Sequence, residues 1–214
     1  MIASRRAVSA RLAAMFGPVL FGPVLAVLIA GGALADDPAP EDSLAGQLLV
    51  AAEDLRDPNF SETVIYMVEH SPDGAMGLVV NVPIGQVAMS ELLDHLGLDT
   101  DKIGGEMEVH YGGPVDQGRA FVLHSTDVML DESVRIDDDF ALTARPDMLD
   151  ALARGEGPKR SLFALGYAGW GPGQLESELA RDTWVVVPAQ TSLVFAEDPK
   201  QSWRRAIASW GIDL

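Results

Sequence analysis

Between Leu165 and Leu179 the chain reads Leu-Gly-Tyr-Ala-Gly-Trp-Gly-Pro-Gly-Gln-Leu-Glu-Ser-Glu-Leu, with Gly166, Gly169, Gly171 and Gly173 falling inside eight residues. Glycine tolerates positive φ and close backbone approach, so this density predicts a forced chain path. Immediately upstream, Ser161-Leu162-Phe163-Ala164-Leu165 is a short apolar run suited to a buried strand. Immediately downstream, Pro172 suits the first position of a helix, with Glu176 and Glu178 in or near its opening turns. The sequence therefore predicts a strand, a glycine-rich turn and a helix whose first N–H groups can receive an anion or carboxylate. The competing expectation is architectural: a tight connection whose Tyr167 and Trp170 plug the core.

Working outward, Gln47–Ala52 and Glu62–His70 are rich in strand formers, and Asp57-Pro58-Asn59 between them marks a turn. Ser71-Pro72-Asp73-Gly74 places proline second and glycine fourth, as a type I turn prefers, and Ala75–Asn81 returns as the partner strand. Met89, Leu92, Leu93 and Leu96, with Gly97 beyond, predict a short amphipathic helix and its stop. Met107–Tyr111 and Arg119–His124 read as strands about the turn Gly112-Gly113-Pro114. Pro146–Arg154 reads as a helix closed at Gly155, Thr183–Pro188 as a strand and Lys200–Trp210 as a terminal helix. Tight hairpins interspersed with short helices predict an α+β, or mixed α/β, fold.

The first 35 residues stand apart. Arg5, Arg6 and Arg11 precede an uncharged run from Leu12 to Ala35 that ends Ala33-Leu34-Ala35. This is the pattern of a secretory signal peptide cleaved before Asp36, and it predicts an exported, periplasmic protein that meets the membrane only through that segment. Ser4-Arg5-Arg6 leaves both the general and the twin-arginine export routes open. A start codon placed upstream of a cytoplasmic protein is the alternative. Asp36–Ser43 reads as a disordered spacer, and residues 44–214 as one domain. The net charge of −17 repels phosphate backbones, which disfavours direct nucleic-acid binding. With no cysteine, disulfides and thiol chemistry are excluded.

Several unusual stretches now line up in order: Glu69-His70 with Gly74–Asn81, Gly112-Gly113-Pro114-Val115, Phe121–His124, Gly166–Glu176 and Trp184. In this series the chain closely resembles the YqgE/AlgH family of bacterial proteins over roughly Leu44 to Leu214. The resemblance implies a bent, bifurcated, mostly antiparallel sheet wrapped into a pseudo-barrel with flanking helices. It implies no established enzymatic activity, although one branch is named for a regulatory role in alginate production.

Candidate chemistry follows from the residues themselves. His70, His110 and His124 each end or nearly end a predicted strand, and three imidazoles at one rim could hold zinc with a position left open. Their spacings match no metal signature, and Asp137-Asp138-Asp139 lacks the glycine and terminal glutamate of an EF-hand, so no metal and no cofactor is expected. Two functions compete. One is a non-catalytic binding or regulatory protein, its partner a protein or small molecule. Its cleft would be formed by Asn81, Gly112, Gly113, Pro114, Gly171, Gly173, Gln174 and Glu176, with His70 and His124 nearby. The other is a hydrolase or metal-dependent enzyme using His70, His124 and Glu176, which requires those side chains to converge in one pocket.

Overall fold

A computed structural model describes residues 43–211 apart from 99, 101 and 102; the export segment and the spacer up to residue 42 lie outside the described residues. The described chain runs β1 (Gln47–Ala51), β2 (Val64–Ser71), β3 (Gly74–Val79), β4 (Pro83–Ala88), α1 (Met89–His95), β5 (Glu106–Tyr111) and β6 (Val115–Ser125). It continues through β7 (Val134–Arg135), β8 (Phe140–Thr143), α2 (Pro146–Ala153), β9 (Ser161–Trp170), α3 (Gln174–Leu179), β10 (Trp184–Pro188) and α4 (Thr191–Val194). A 3-10 turn at Pro199–Gln201 then leads into α5 (Ser202–Trp210).

Strand order is β10-β1-β2-β3-β9-β6-β8-β7, with the β4–β5 hairpin joined to β9 through β5. Pairing is antiparallel except for β5 with β9. The sheet curls into a half-barrel with helices on its flanks. Its bifurcation is built on β9. Phe163–Leu165 pair with β5 on one side, and Leu162–Leu165 with β6 on the other; farther along, Ala168–Trp170 pair with β3.

The strands at the centre bury both faces, so they read as unbroken apolar runs and not as alternation. In β1, Leu48 and Val50 face a core shared with Phe121, Phe140 and Leu193, while Leu49 and Ala51 face one shared with Trp170, Leu175 and Trp184. In β9, Leu162 and Ala164 join the first of these cores and Phe163 and Leu165 a third, packed under α1 and α2. Burial of Leu92, Leu93, Met148 and Leu149 in that third core holds the two short helices in place, because helices this short are not stable alone.

The hairpin forms as expected, with Ser71 opposite Gly74 and the turn residues Pro72 and Asp73 exposed. The register shifts between Met67 and Glu69, a bulge that re-aims the end of β2.

The glycine stretch departs from expectation. The strand does not stop at Leu165 but continues through Gly166, Tyr167, Ala168 and Gly169 to Trp170, because β3 and β6 supply partners for it. Helix α3 begins at Gln174, not Pro172. Its cap is Gly173, held at φ 70°, so Pro172 lies in the turn outside the helix.

Candidate functional site

The expected cleft between Gly112–Pro114 and the glycine stretch is occupied by backbone. Gly112 sits at a three-way junction: its carbonyl accepts from the Val79 N–H at 2.9 Å and its own N–H donates to Leu165 at 2.8 Å. A Cβ on Gly112 would stand 2.2 Å from the Gly166 carbonyl oxygen, and one on Gly113 2.1 Å from the Tyr167 carbonyl carbon. Both glycines are buried, and Pro114 is exposed beside them. Asn81 is buried too, and it clamps the open end of the hairpin. Its Oδ1 accepts from the Val64 N–H at 2.8 Å and its Nδ2 donates to the Glu62 carbonyl at 2.9 Å.

The turn before α3 closes on itself. The Gly171 N–H donates to Gln174 Oε1 at 3.2 Å, and Gln174 Nε2 donates to Glu178 Oε1 at 2.9 Å. Glu178 Oε2 accepts from the indole N–H groups of Trp170 at 2.9 Å and Trp184 at 2.8 Å. Burial alone would raise this carboxyl, but the donors from Trp184, Gln174 and Trp170 outweigh it and hold the group below the usual glutamate range. Glu178 is thus the hub that fixes the corner.

His70 and Glu176 do come together. His70 Nε2 lies 3.0 Å from Glu176 Oε1, and His70 Nδ1 accepts from the Leu44 N–H at 3.0 Å. The Leu44 contact fixes the tautomer, so Nε2–H donates to the carboxylate. Both ring nitrogens are engaged in tying the start of the described chain to α3. Glu176 is held low first by its own backbone N–H and then by the His70 ring.

His124 is elsewhere. It pairs with Ser161 at the start of β9, whereas His70 pairs with Ala75, itself opposite Trp170 at the end of β9. Nine residues of strand separate those positions, up to about 30 Å of extended chain. Buried His124 donates from Nδ1 to the Ser125 carbonyl at 2.9 Å, and its Nε2 meets the Thr143 hydroxyl at 2.9 Å. Burial lowers its pKa. His70, His124 and Glu176 therefore do not converge, and among the described residues no group of three His, Cys, Asp or Glu side chains could hold a metal ion.

What the curled sheet does create is a cavity of about 310 Å³ on the face shared by β2, β3, β9 and β6. Glu69, Met76, Arg119, Phe121, Tyr167 and Trp170 are prominent in its wall, and Asp73 stands at its edge. The Arg119 guanidinium lies 5.5 Å from the Phe121 ring centroid, and Phe121 meets Tyr167 edge-on at 6.1 Å. Burial raises the Glu69 carboxyl. The bulge just before Glu69 is what brings that side chain to the cavity. None of the ten residues expected to form the site lines this cavity, although the glycine stretch supplies Tyr167, Gly169 and Trp170 to it. A signal for it was present in β6: Arg119 and Phe121, two apart in a strand, share a face, which puts a guanidinium beside a ring.

A curled half-barrel of mostly antiparallel strands with short flanking helices is the AlgH-like mixed α/β fold. The chain belongs to the DUF179 family, described as AlgH-like, whose profile matches residues 48–214. It is 44% identical over 171 residues to a UPF0301 protein of Cereibacter sphaeroides, covering 79% of this chain and 93% of that one. A UPF0301 protein of Paracoccus denitrificans is also 44% identical, over 174 residues covering 80% and 92%. The solution structure of the AlgH protein from Pseudomonas aeruginosa superimposes with a TM-score of 0.66 at 36% identity, covering 82% of this chain and 92% of that one. A crystal structure of a Corynebacterium diphtheriae protein shares the fold, with a TM-score of 0.61 at 21% identity over 83% and 90% of the two chains. The family has no established molecular activity.

Proposed function

We propose that this is a non-catalytic binding protein with a regulatory role, whose ligand seats in the cavity between β2, β3, β9 and β6. The observation that carries this is the character of the wall: a guanidinium, a partly buried carboxyl and three aromatic rings around about 310 Å³. These are recognition groups. Among the described residues the lining holds no serine, threonine, cysteine, lysine or histidine to act as nucleophile. A compact zwitterionic ligand suits it, with an anionic group toward Arg119, a cationic group toward Glu69 and Asp73, and flat apolar surface against Phe121, Tyr167 and Trp170. Amino acids and peptide termini have that chemistry.

The hydrolase reading gains nothing from the geometry, since His70 spends both ring nitrogens and His124 lies at the far end of β9. The test is a titration of the purified protein with a panel of apolar and aromatic amino acids, followed by amide chemical shifts. Binding should perturb β3, β6 and the end of β9, and Arg119→Met should weaken it about tenfold or more in a protein that stays folded. Shifts confined to other surfaces, or unchanged affinity in Arg119→Met, would refute the assignment.

A further inference from the structure

At the opposite end of β9 lies a second cavity, about 200 Å³, bounded by Val80, Met107, Leu162, Val194 and Phe195 with Glu108, His110 and Ser161 among them. Its walls are mostly apolar, but His110 stands out. The residue is 5% exposed, and neither ring nitrogen has a hydrogen-bond partner. The nearest carboxylate oxygen, Glu108 Oε2, lies 3.5 Å from Nε2, and the Phe163 backbone approaches the ring without closing a bond of normal geometry. An orphaned imidazole costs stability wherever it is buried, so a polar partner arriving from the cavity gains the energy that the fold leaves unclaimed.

The charges select the partner. A neutral imidazole always offers one lone pair, and Glu108 offers an anionic oxygen beside it. Two acceptors stand together at an apolar recess, and among the described residues that line it there is no lysine or arginine. A carboxylate or phosphate would be repelled by Glu108, whereas a protonated amine donates three hydrogen bonds and brings the opposite charge. We propose that this cavity binds a small organic ammonium ion with an apolar body, its head on His110 and Glu108 and its tail against Leu162, Val194 and Phe195. Burial holds the His110 pKa down to about 4, so the ring stays an acceptor at neutral pH. This site is independent of the one proposed above, which takes its residues from the other end of β9.

The probe is n-hexylamine, compared with 1-hexanol and hexanoate of matching shape, titrated into the full chain at pH 7 and followed by calorimetry and amide shifts. Hexylamine should bind at least about tenfold more tightly than hexanol, hexanoate should not bind, and shifts should centre on β5 and the first residues of β9. His110→Leu removes the acceptor together with the orphaned nitrogens, so it should keep or raise the melting temperature while weakening hexylamine about tenfold or more. Glu108→Gln, on a half-exposed side chain, should weaken hexylamine but not hexanol. Absence of hexylamine binding, equal affinity for amine and alcohol, or full affinity in a folded His110→Leu protein would each overturn the proposal. Shifts at β3 and the end of β9 alone would overturn it too, and would assign the amine to the other cavity.

Discussion

Single residues here carry roles that their type alone does not announce. Asp137 belongs to the run Asp137-Asp138-Asp139, whose sequence reads as a solvated acidic loop. Yet its Oδ2 accepts the Tyr66 hydroxyl at 2.9 Å while its Oδ1 accepts the backbone N–H groups of Asp139 and Phe140, each at 2.8 Å. Burial and this carboxylate together raise the Tyr66 pKa. His110 has the opposite character, a buried group with unmet demands. Its pKa falls from an ordinary value of 6.5 to about 4, chiefly through burial. The unfolded chain therefore takes up a proton below pH 6.5 that the fold refuses until about pH 4, so stability is lost as pH falls through that window. The loss is on the order of 3 kcal/mol. The depressed Glu178 carboxyl acts in the same direction, contributing stability above the unfolded glutamate value that disappears as pH falls through its folded one. Chemical denaturation at a series of pH values should show this acid loss, and His110→Leu should flatten the portion between pH 6.5 and 4. An unchanged slope in that variant would mean the imidazole is protonated or well partnered in the fold.

At the scale of elements, the glycines divide into two kinds that composition cannot tell apart. Gly112, Gly113 and Gly166 make β5 and β9 touch backbone to backbone where the sheet splits. Gly166 and Gly113 also take φ values of 75° and 151°, in the region that L side chains rarely occupy. Gly171 has nothing within 4 Å of where a Cβ would stand. Gly113→Ala should therefore cost several kcal/mol, since the clash is with backbone and cannot be relieved by rotating a side chain. Gly171→Ala should fall within about 0.5 kcal/mol of the parent, as exposed substitutions usually do. Thermal melts of the pair decide this, and comparable destabilisation by both would show that the junction yields. Gly173 lies between these extremes, open in space yet fixed at φ 70° by its position as the cap of α3.

At the scale of the whole molecule, the family profile begins at residue 48, so the basic and apolar run of residues 1–35 lies outside the shared body. We propose that this run directs export to the periplasm, that cleavage follows Ala35, and that the acidic spacer from Asp36 to Ser43 then leads into the folded domain. Removal of three arginines and no acid leaves the mature protein three charges more negative than the −17 of the full chain. On that proposal the added negative charge would disfavour nucleic acid as a direct partner. Fractionation followed by N-terminal sequencing should find the protein in the periplasm with Asp36 first. A cytoplasmic protein that retains Met1, or one that starts near Leu44, would count against export.

The sequence by itself determined whatever is settled by neighbours a few residues apart. Ser71-Pro72-Asp73-Gly74 specified its hairpin, because a two-residue connection depends on local turn chemistry. Apolar spacing with terminal signals specified the helices Met89–His95 and Pro146–Ala153, and the ordered series of motifs was enough to identify the family. Tertiary structure alone decided what the glycine stretch became. From Gly166 to Trp170 it is strand because Val115 and Ala75–Gly77, distant in sequence, complete its hydrogen bonds, and backbone groups take whichever partners burial supplies. It also decided which candidates met: His70 and Glu176 are 106 positions apart in sequence yet 3.0 Å apart in space, while His124 was carried to the other end of β9. Beyond the shared strand face of Arg119 and Phe121, neither cavity was legible in the sequence, because each is the space left between curled strands. Its walls depend on a bulge before Glu69 and on the split at Gly112, and both are settled by how the strands pack.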